Sequence, residues 1–155
     1  MGNNETEKLR YHFWRNLLEK SNKKMPLFSG LKEISSYAKQ SFLSTGAGVD
    51  GAKYQYVILL RSPMARVQLS FESVNGDKNK QLFRKLWDNR TKIESELGKD
   101  YVTNLEWLPL NTRISSRISK LVIEKGLKDE DNWAIIQNKM VEDMFKLWKA
   151  LGHWL

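Results

Sequence analysis

With 155 residues, the chain is long enough to form one domain around a single hydrophobic core. It contains no cysteine, which excludes thiol catalysis, thiolate metal sites and disulfides, and no apolar run of membrane-spanning length. Lys and Arg number 26 against 18 Asp and Glu, for a net charge of +8. Such a charge favours polyanionic partners, although it also keeps proteins soluble. We expect a cytoplasmic domain without a membrane partner.

The spacing of apolar residues changes from helical to strand-like and back along the chain. Three main helices are predicted at residues 5–20, 78–97 and 133–151. Five strands are predicted at residues 41–45, 54–60, 66–72, 102–108 and 113–123. The last segment also fits helical spacing, but its β-branched residues favour a strand. The order α-β-β-β-α-β-β-α predicts an α+β fold, with the helices packed on a mainly antiparallel sheet of about five strands.

A glycine-rich segment lies between the first two predicted strands. Gly46, Gly48 and Gly51 match the G-x-G-x-x-G pattern of dinucleotide-binding folds. In those folds the glycines leave a strand and open a helix, whose N-terminus binds the pyrophosphate. Here a strand follows the glycines, so no helix N-terminus is available. We therefore interpret the segment as a turn between two strands.

Side chains that usually bind metals or carry catalysis are scarce in this chain. His12 and His153 lie near opposite ends of the sequence, and no nucleophile motif is present. Glu72 and Glu106 fall on predicted strands but alternate outward among many cations, which is typical of solvated residues. We expect no catalytic residue, no metal site and no cofactor.

Clusters of Lys and Arg are the remaining functional signal. The middle helix carries several cations in its first turns, although a solvated face explains them as well. If the last predicted strand meets this helix, its own arginines converge with those cations into a patch that contacts phosphates rather than base edges. In that strand, Arg113 and Arg117 are expected on one face. The candidate phosphate-binding residues are Lys80, Arg84, Lys85, Arg113 and Arg117, with Arg61 and Arg66 beside the hairpin turn in support.

The aromatic residues mostly fall on apolar stripes of the predicted elements. Core packing is expected for Trp14, Trp87, Trp133 and Trp148. The candidates for stacking on bases are Tyr54, Tyr56 and Trp107, although for each of them the pattern favours burial in the core.

An ordered series of short segments extends along nearly the whole chain. It includes Tyr11-His-Phe-Trp14, Ala65-Arg-Val-Gln-Leu69, Ile93-Glu-Ser-Glu-Leu-Gly98 and Asp131-Asn-Trp133. The series resembles the prokaryotic domain of unknown function family 4268. This resemblance implies a small α+β domain without an established activity, found alone or at the C-terminus of longer proteins whose N-terminal parts are often nuclease-like.

We therefore expect a non-catalytic binding module that contacts nucleic acid through a basic surface patch. The alternative is a protein-interaction or assembly domain, which would dock a nuclease-like protein or a second copy of itself. Its docking surface would be the sheet edge or the Trp-rich C-terminal helix, which ends with Trp148, Leu151, Trp154 and Leu155. A third hypothesis is an enzyme that binds a small anionic ligand at the glycine loop.

Overall fold

The computed structural model describes residues 3–155, and within them five strands and five α-helices alternate in groups. The helices are α1 (Asn3–Lys24), α2 (Gly76–Asp88), α3 (Arg90–Leu97), α4 (Lys99–Val102) and α5 (Trp133–Gly152). The strands are β1 (Phe42–Gly46), β2 (Ala52–Ile58), β3 (Ala65–Phe71), β4 (Leu105–Leu108) and β5 (Ser116–Ile123). Single 3-10 turns occur at Ile34–Ser36 and Glu130–Asn132. The predicted α+β class is confirmed, and the order of the main elements is close to the one expected.

All five strands join one antiparallel sheet in the order β1-β2-β3-β5-β4. The first three strands form a meander of two hairpins. Strand β5 then pairs with β3, and the short strand β4 lies at the outer edge. In this register Tyr54 lies opposite Leu69, which in turn lies opposite Ile118.

The hydrophobic core lies on one face of the sheet. Alternate residues of the central strands, including Tyr56, Val67 and Leu69, are fully buried there against residues of α1 and α5 such as Trp14 and Met140. The residues between them point to the opposite face, as expected from the period of two in a strand. We call this opposite surface the polar sheet face; its central members are Gln55, Gln68, Ser119, Arg66 and Arg117.

The glycine-rich segment is a turn in the β1–β2 hairpin, as interpreted from the sequence. The backbone N–H of Ala47 donates to the carbonyl of Ala52, whose own N–H donates to the carbonyl of Val49. Gly48 and Gly51 have positive φ angles of 86° and 78°, which L-residues rarely adopt. These two glycines therefore allow the backbone to make the tight turn that joins β1 to β2.

Three predicted boundaries were wrong. The helix expected at 78–97 breaks at Asn89, because the side-chain amide of Asn89 donates to the carbonyl of Lys85 and competes with the helical hydrogen bond. The start of the strand expected at 102 is helical, and β4 begins at Leu105. Strand β5 begins at Ser116 rather than at 113, which leaves residues 109–115 as a loop.

No helix within residues 3–155 combines the length and apolarity needed to cross a membrane.

Candidate functional site

The loop of residues 109–115 is held against α2 by two side chains. The ammonium of Lys80 donates to the carbonyls of Pro109, Leu110 and Ser115, and its Nζ lies 3.0 Å from Ser116 Oγ. The buried amide of Asn79 donates at 2.8 Å to the carbonyl of Ile114. The three carbonyls that bind Lys80 use all the protons of its ammonium, whose pKa is lowered by desolvation. Lys80 therefore positions the loop in this structure.

Next to this anchored loop, α2 and β4 form an open pocket of about 760 Å³. Its walls are aromatic and apolar, and its polar side chains are Lys80, Arg84 and Asn111; the apolar members are Phe83, Trp87, Trp107 and Pro109. We call it the Trp87–Trp107 pocket. The two indole rings meet edge to face, with centroids 5.5 Å apart and an interplanar angle of 77°. Trp87 is 40% exposed, so aromatic surface is available to a ligand.

Both indoles of the pocket are held by charged neighbours. Trp107 Nε1 donates to the Glu94 carboxylate at 3.2 Å. The Arg90 guanidinium lies over the Trp87 ring, with Cζ 3.8 Å from the centroid. These contacts help to fix the orientation of both indole rings.

Of the predicted phosphate-binding residues, Arg84 and Lys85 lie exposed on α2 beside the pocket. Arg84 Nε is 3.3 Å from an Asp88 carboxylate oxygen, in a pair so exposed that water screens most of its attraction. Arg113 is also exposed, but it lies in the loop before β5. The expectation that Arg113 and Arg117 share one strand face was therefore wrong, because Arg113 precedes the strand.

Arg66 and Arg117 lie on the polar sheet face, away from α2. Between them the side-chain amide of Gln68 donates to Gln55 at 2.7 Å, and the Ser119 hydroxyl donates to Gln68 at 3.3 Å. Desolvation lowers the pKa of Arg66, and the like charge of Arg117 adds to this effect. The Nε atoms of both arginines are buried without a hydrogen-bond partner.

Arg61 lies in the β2–β3 turn, beside Arg10 and Lys39. Because Ala65 and Phe71 mark opposite ends of β3, this turn and the loop that precedes β5 lie at opposite ends of the sheet. The seven predicted residues thus do not form one patch. Lys80, Arg84 and Lys85 lie on α2, and Arg113 lies in the loop that Lys80 and Asn79 hold against this helix.

The aromatic expectations hold only in part. Tyr54 and Tyr56 are buried to 1% and 0% exposure, and burial raises the pKa of both phenols. They belong to the core and offer no stacking surface. Trp87, expected in the core, is exposed, because it lies at the edge of the α2 stripe whose buried members are Asn79, Phe83 and Leu86.

The residues proposed for protein docking are divided between core and surface. Leu151 is fully buried, while Trp148, Trp154 and Leu155 are half-buried against the core. The outer strands of the sheet are the short β1 and β4. The protein-interaction hypothesis stays a prediction.

A second charged cluster joins β5 to α5. Lys120 Nζ lies 3.1 Å from an Asp143 carboxylate oxygen and donates to the Leu121 carbonyl at 2.9 Å. The Tyr101 hydroxyl donates at 2.7 Å to the backbone carbonyl of Asp143. Burial raises the pKa of Asp143, although the Lys120 charge opposes this rise. The cluster ties the last helix to the sheet.

Within residues 3–155 no three His, Asp or Glu side chains are grouped so that they could hold a metal ion.

Together the fold and this surface define a basic α+β domain with an exposed aromatic pocket. The model of the family described as Domain of unknown function (DUF4268) matches residues 9–154. The chain belongs to this family, so the resemblance of its segment order is confirmed. Comparison with curated proteins and with solved structures found no match.

Proposed function

We propose that this domain binds nucleic acid, without catalysis of its own, through the surface formed by α2 and the loop of residues 109–115. The observation that carries the proposal is the combination of exposed cations with an exposed aromatic pocket on one surface. Nucleic acids offer phosphates to the cations and base planes to the aromatic rings. In this proposal the protein acts in the cytoplasm.

Charge on this surface favours a polyanion. In residues 76–97 the Lys and Arg residues outnumber the acids, and Arg113 adds a further cation from the loop. Arg84, Lys85 and Arg113 are exposed, so they can reach phosphates without leaving a buried site. Such contacts release condensed counterions, which supplies much of the affinity for nucleic acid.

The other predicted residues have different roles in this proposal. Lys80 keeps the loop in place, since its protons already bind loop carbonyls. Arg66 and Arg117 would contact a ligand only across the polar sheet face, and Arg61 only at the far end of the sheet. We therefore assign the phosphate contacts to Arg84, Lys85 and Arg113.

The test is fluorescence anisotropy with labelled DNA and RNA oligonucleotides, single- and double-stranded, at several salt concentrations. We expect log K to fall linearly with log salt. Arg84→Glu/Lys85→Glu should abolish binding and leave the thermal midpoint nearly unchanged, because both side chains are exposed.

The matched control is Lys23→Glu/Lys24→Glu, which makes the same change in net charge at the exposed end of α1. This control should weaken binding only slightly. Absence of binding by the native protein at about 50 mM salt, where phosphate contacts are strong, would refute the proposal. Equal losses in both double variants would show that total charge, and not this surface, drives the binding.

A further inference from the structure

We propose that the Trp87–Trp107 pocket accepts an unpaired base, so that the domain prefers single-stranded to double-stranded nucleic acid. This inference rests on the proposed function and names the form of nucleic acid that the same surface selects.

The shape and lining of the pocket fit a base. Its volume of about 760 Å³ lies in the range of sites that hold small organic ligands. Trp87 and Trp107 present aromatic surface, on which any base can stack because every base has a π-face, and the buried Phe83 lines the pocket beside them. In a duplex the bases are already stacked and paired, so only an unpaired base enters without the cost of being pulled out of the helix.

The pocket is ordered before any ligand arrives. Glu94 holds the Trp107 indole, Arg90 covers the Trp87 ring, and Lys80 fixes the backbone at Pro109. A site whose walls are already fixed loses little conformational entropy on binding, which favours affinity. Arg90 does not line the pocket itself, so its contact with Trp87 leaves the pocket-facing surface of the indole free.

Polar side chains at the pocket match the other parts of a nucleotide. Arg84 lines the pocket and is exposed, so its guanidinium can contact the phosphate next to a bound base. Asn111 is exposed in the anchored loop, and its amide offers both donors and an acceptor to a base edge. The pocket therefore combines stacking, a phosphate contact and an edge contact within one nucleotide.

The test compares a single-stranded oligonucleotide with a duplex of the same length by fluorescence anisotropy. Native protein should bind the single strand more tightly. Trp87→Ala should weaken single-strand binding by about 5-fold or more, which is the usual effect of losing one stacked base. It should leave duplex binding and the salt slope nearly unchanged, whereas Trp87→Phe should restore part of the single-strand affinity.

The control is Ile135→Ala, which removes an exposed apolar side chain from α5 and should change neither affinity. Thermal unfolding checks that each variant is folded. If Trp87→Ala fails to fold, Asn111→Ala and Trp87→Phe make the same comparison, with smaller but still single-strand-selective losses expected.

The outcomes separate this inference from the proposed function. Salt-dependent binding with no preference for the single strand, and with no selective loss in any of these variants, would overturn the pocket and leave the phosphate surface in place. No binding to either probe would overturn both.

Discussion

Replacing Gly51 by Ala tests the structural role of the glycine-rich turn. A Cβ at this position would lie 2.6 Å from the backbone nitrogen of Ser73, and the φ angle of 78° is unfavourable for Ala. The left-handed conformation costs about 1–2 kcal/mol. Ser73 cannot easily give way, because its N–H and carbonyl both bind the buried amide of Asn79. With the collision added, we expect Gly51→Ala to lower the free energy of unfolding by about 3 kcal/mol.

Two neighbouring glycines provide graded controls. Gly48 has a φ angle of 86°, and a methyl group there would have no other atom within 4 Å, so Gly48→Ala should cost only the conformational strain of about 1 kcal/mol. Gly46 has neither constraint, and Gly46→Ala should be nearly neutral.

The assay for this series is urea unfolding followed by circular dichroism, with the midpoints compared at constant slope. A loss of about 3 kcal/mol corresponds to about 6–12 °C in the thermal midpoint for a chain of this size. If Gly51→Ala were as mild as Gly46→Ala, the close approach of Ser73 would be refuted as the reason for this glycine.

Substitutions at three further contacts extend these tests. Lys80→Met should cost about 1–3 kcal/mol and make residues 109–115 more sensitive to proteolysis, because the loop carbonyls lose their donor; unchanged cleavage would contradict the anchoring role. For the buried pair of Lys120 and Asp143, either Lys120→Met or Asp143→Leu alone should cost about 3–5 kcal/mol, whereas the double variant should be close to native in denaturant unfolding. Additive losses would show that the two charges are not coupled. Asp88→Asn should tighten binding of oligonucleotides several-fold in anisotropy, since it removes an anion beside Arg84; an unchanged affinity would argue against a contact by Arg84.

The sheet could be predicted from the sequence because alternation is a local signal. Tyr54, Tyr56, Val67 and Leu69 recur with a period of two, and all four face the core. The turn at Gly46–Gly51 was equally local, since the glycines run into a strand. The pairing of the strands has no such local signal, because β5 pairs with β3 from more than 40 residues away in the sequence.

The pocket was not predicted because Trp87 lies at the edge of the apolar stripe of α2. The buried residues of this helix are Asn79, Phe83 and Leu86, and Trp87 is rotated away from their centre, so it stays 40% exposed. The sequence does contain a signal for the helix break at Asn89: the stripe through Phe83 and Leu86 requires an apolar residue at position 90, where the chain has Arg90.

The separation of the predicted cations had no local signal either. The period of a strand places Arg66 and Arg117 on the face away from the core. It does not indicate where α2 lies. Lys80 was expected to contact phosphates, but its ammonium binds carbonyls that are 29 to 35 positions further along the chain.

The contact between the first and last helices determines when this domain can complete its fold during synthesis. Gln137 of α5 donates to the backbone carbonyl of Phe13 in α1, and the rings of Phe13 and Trp133 meet edge to face. The part of α1 around Phe13 thus has to wait for a partner translated about 120 residues later. At ribosomal speeds of about 5–20 residues per second, that interval is about 6–24 s. Over this time the part of α1 that packs on α5 stays uncovered in the nascent chain, and transiently exposed apolar surface of this kind promotes aggregation.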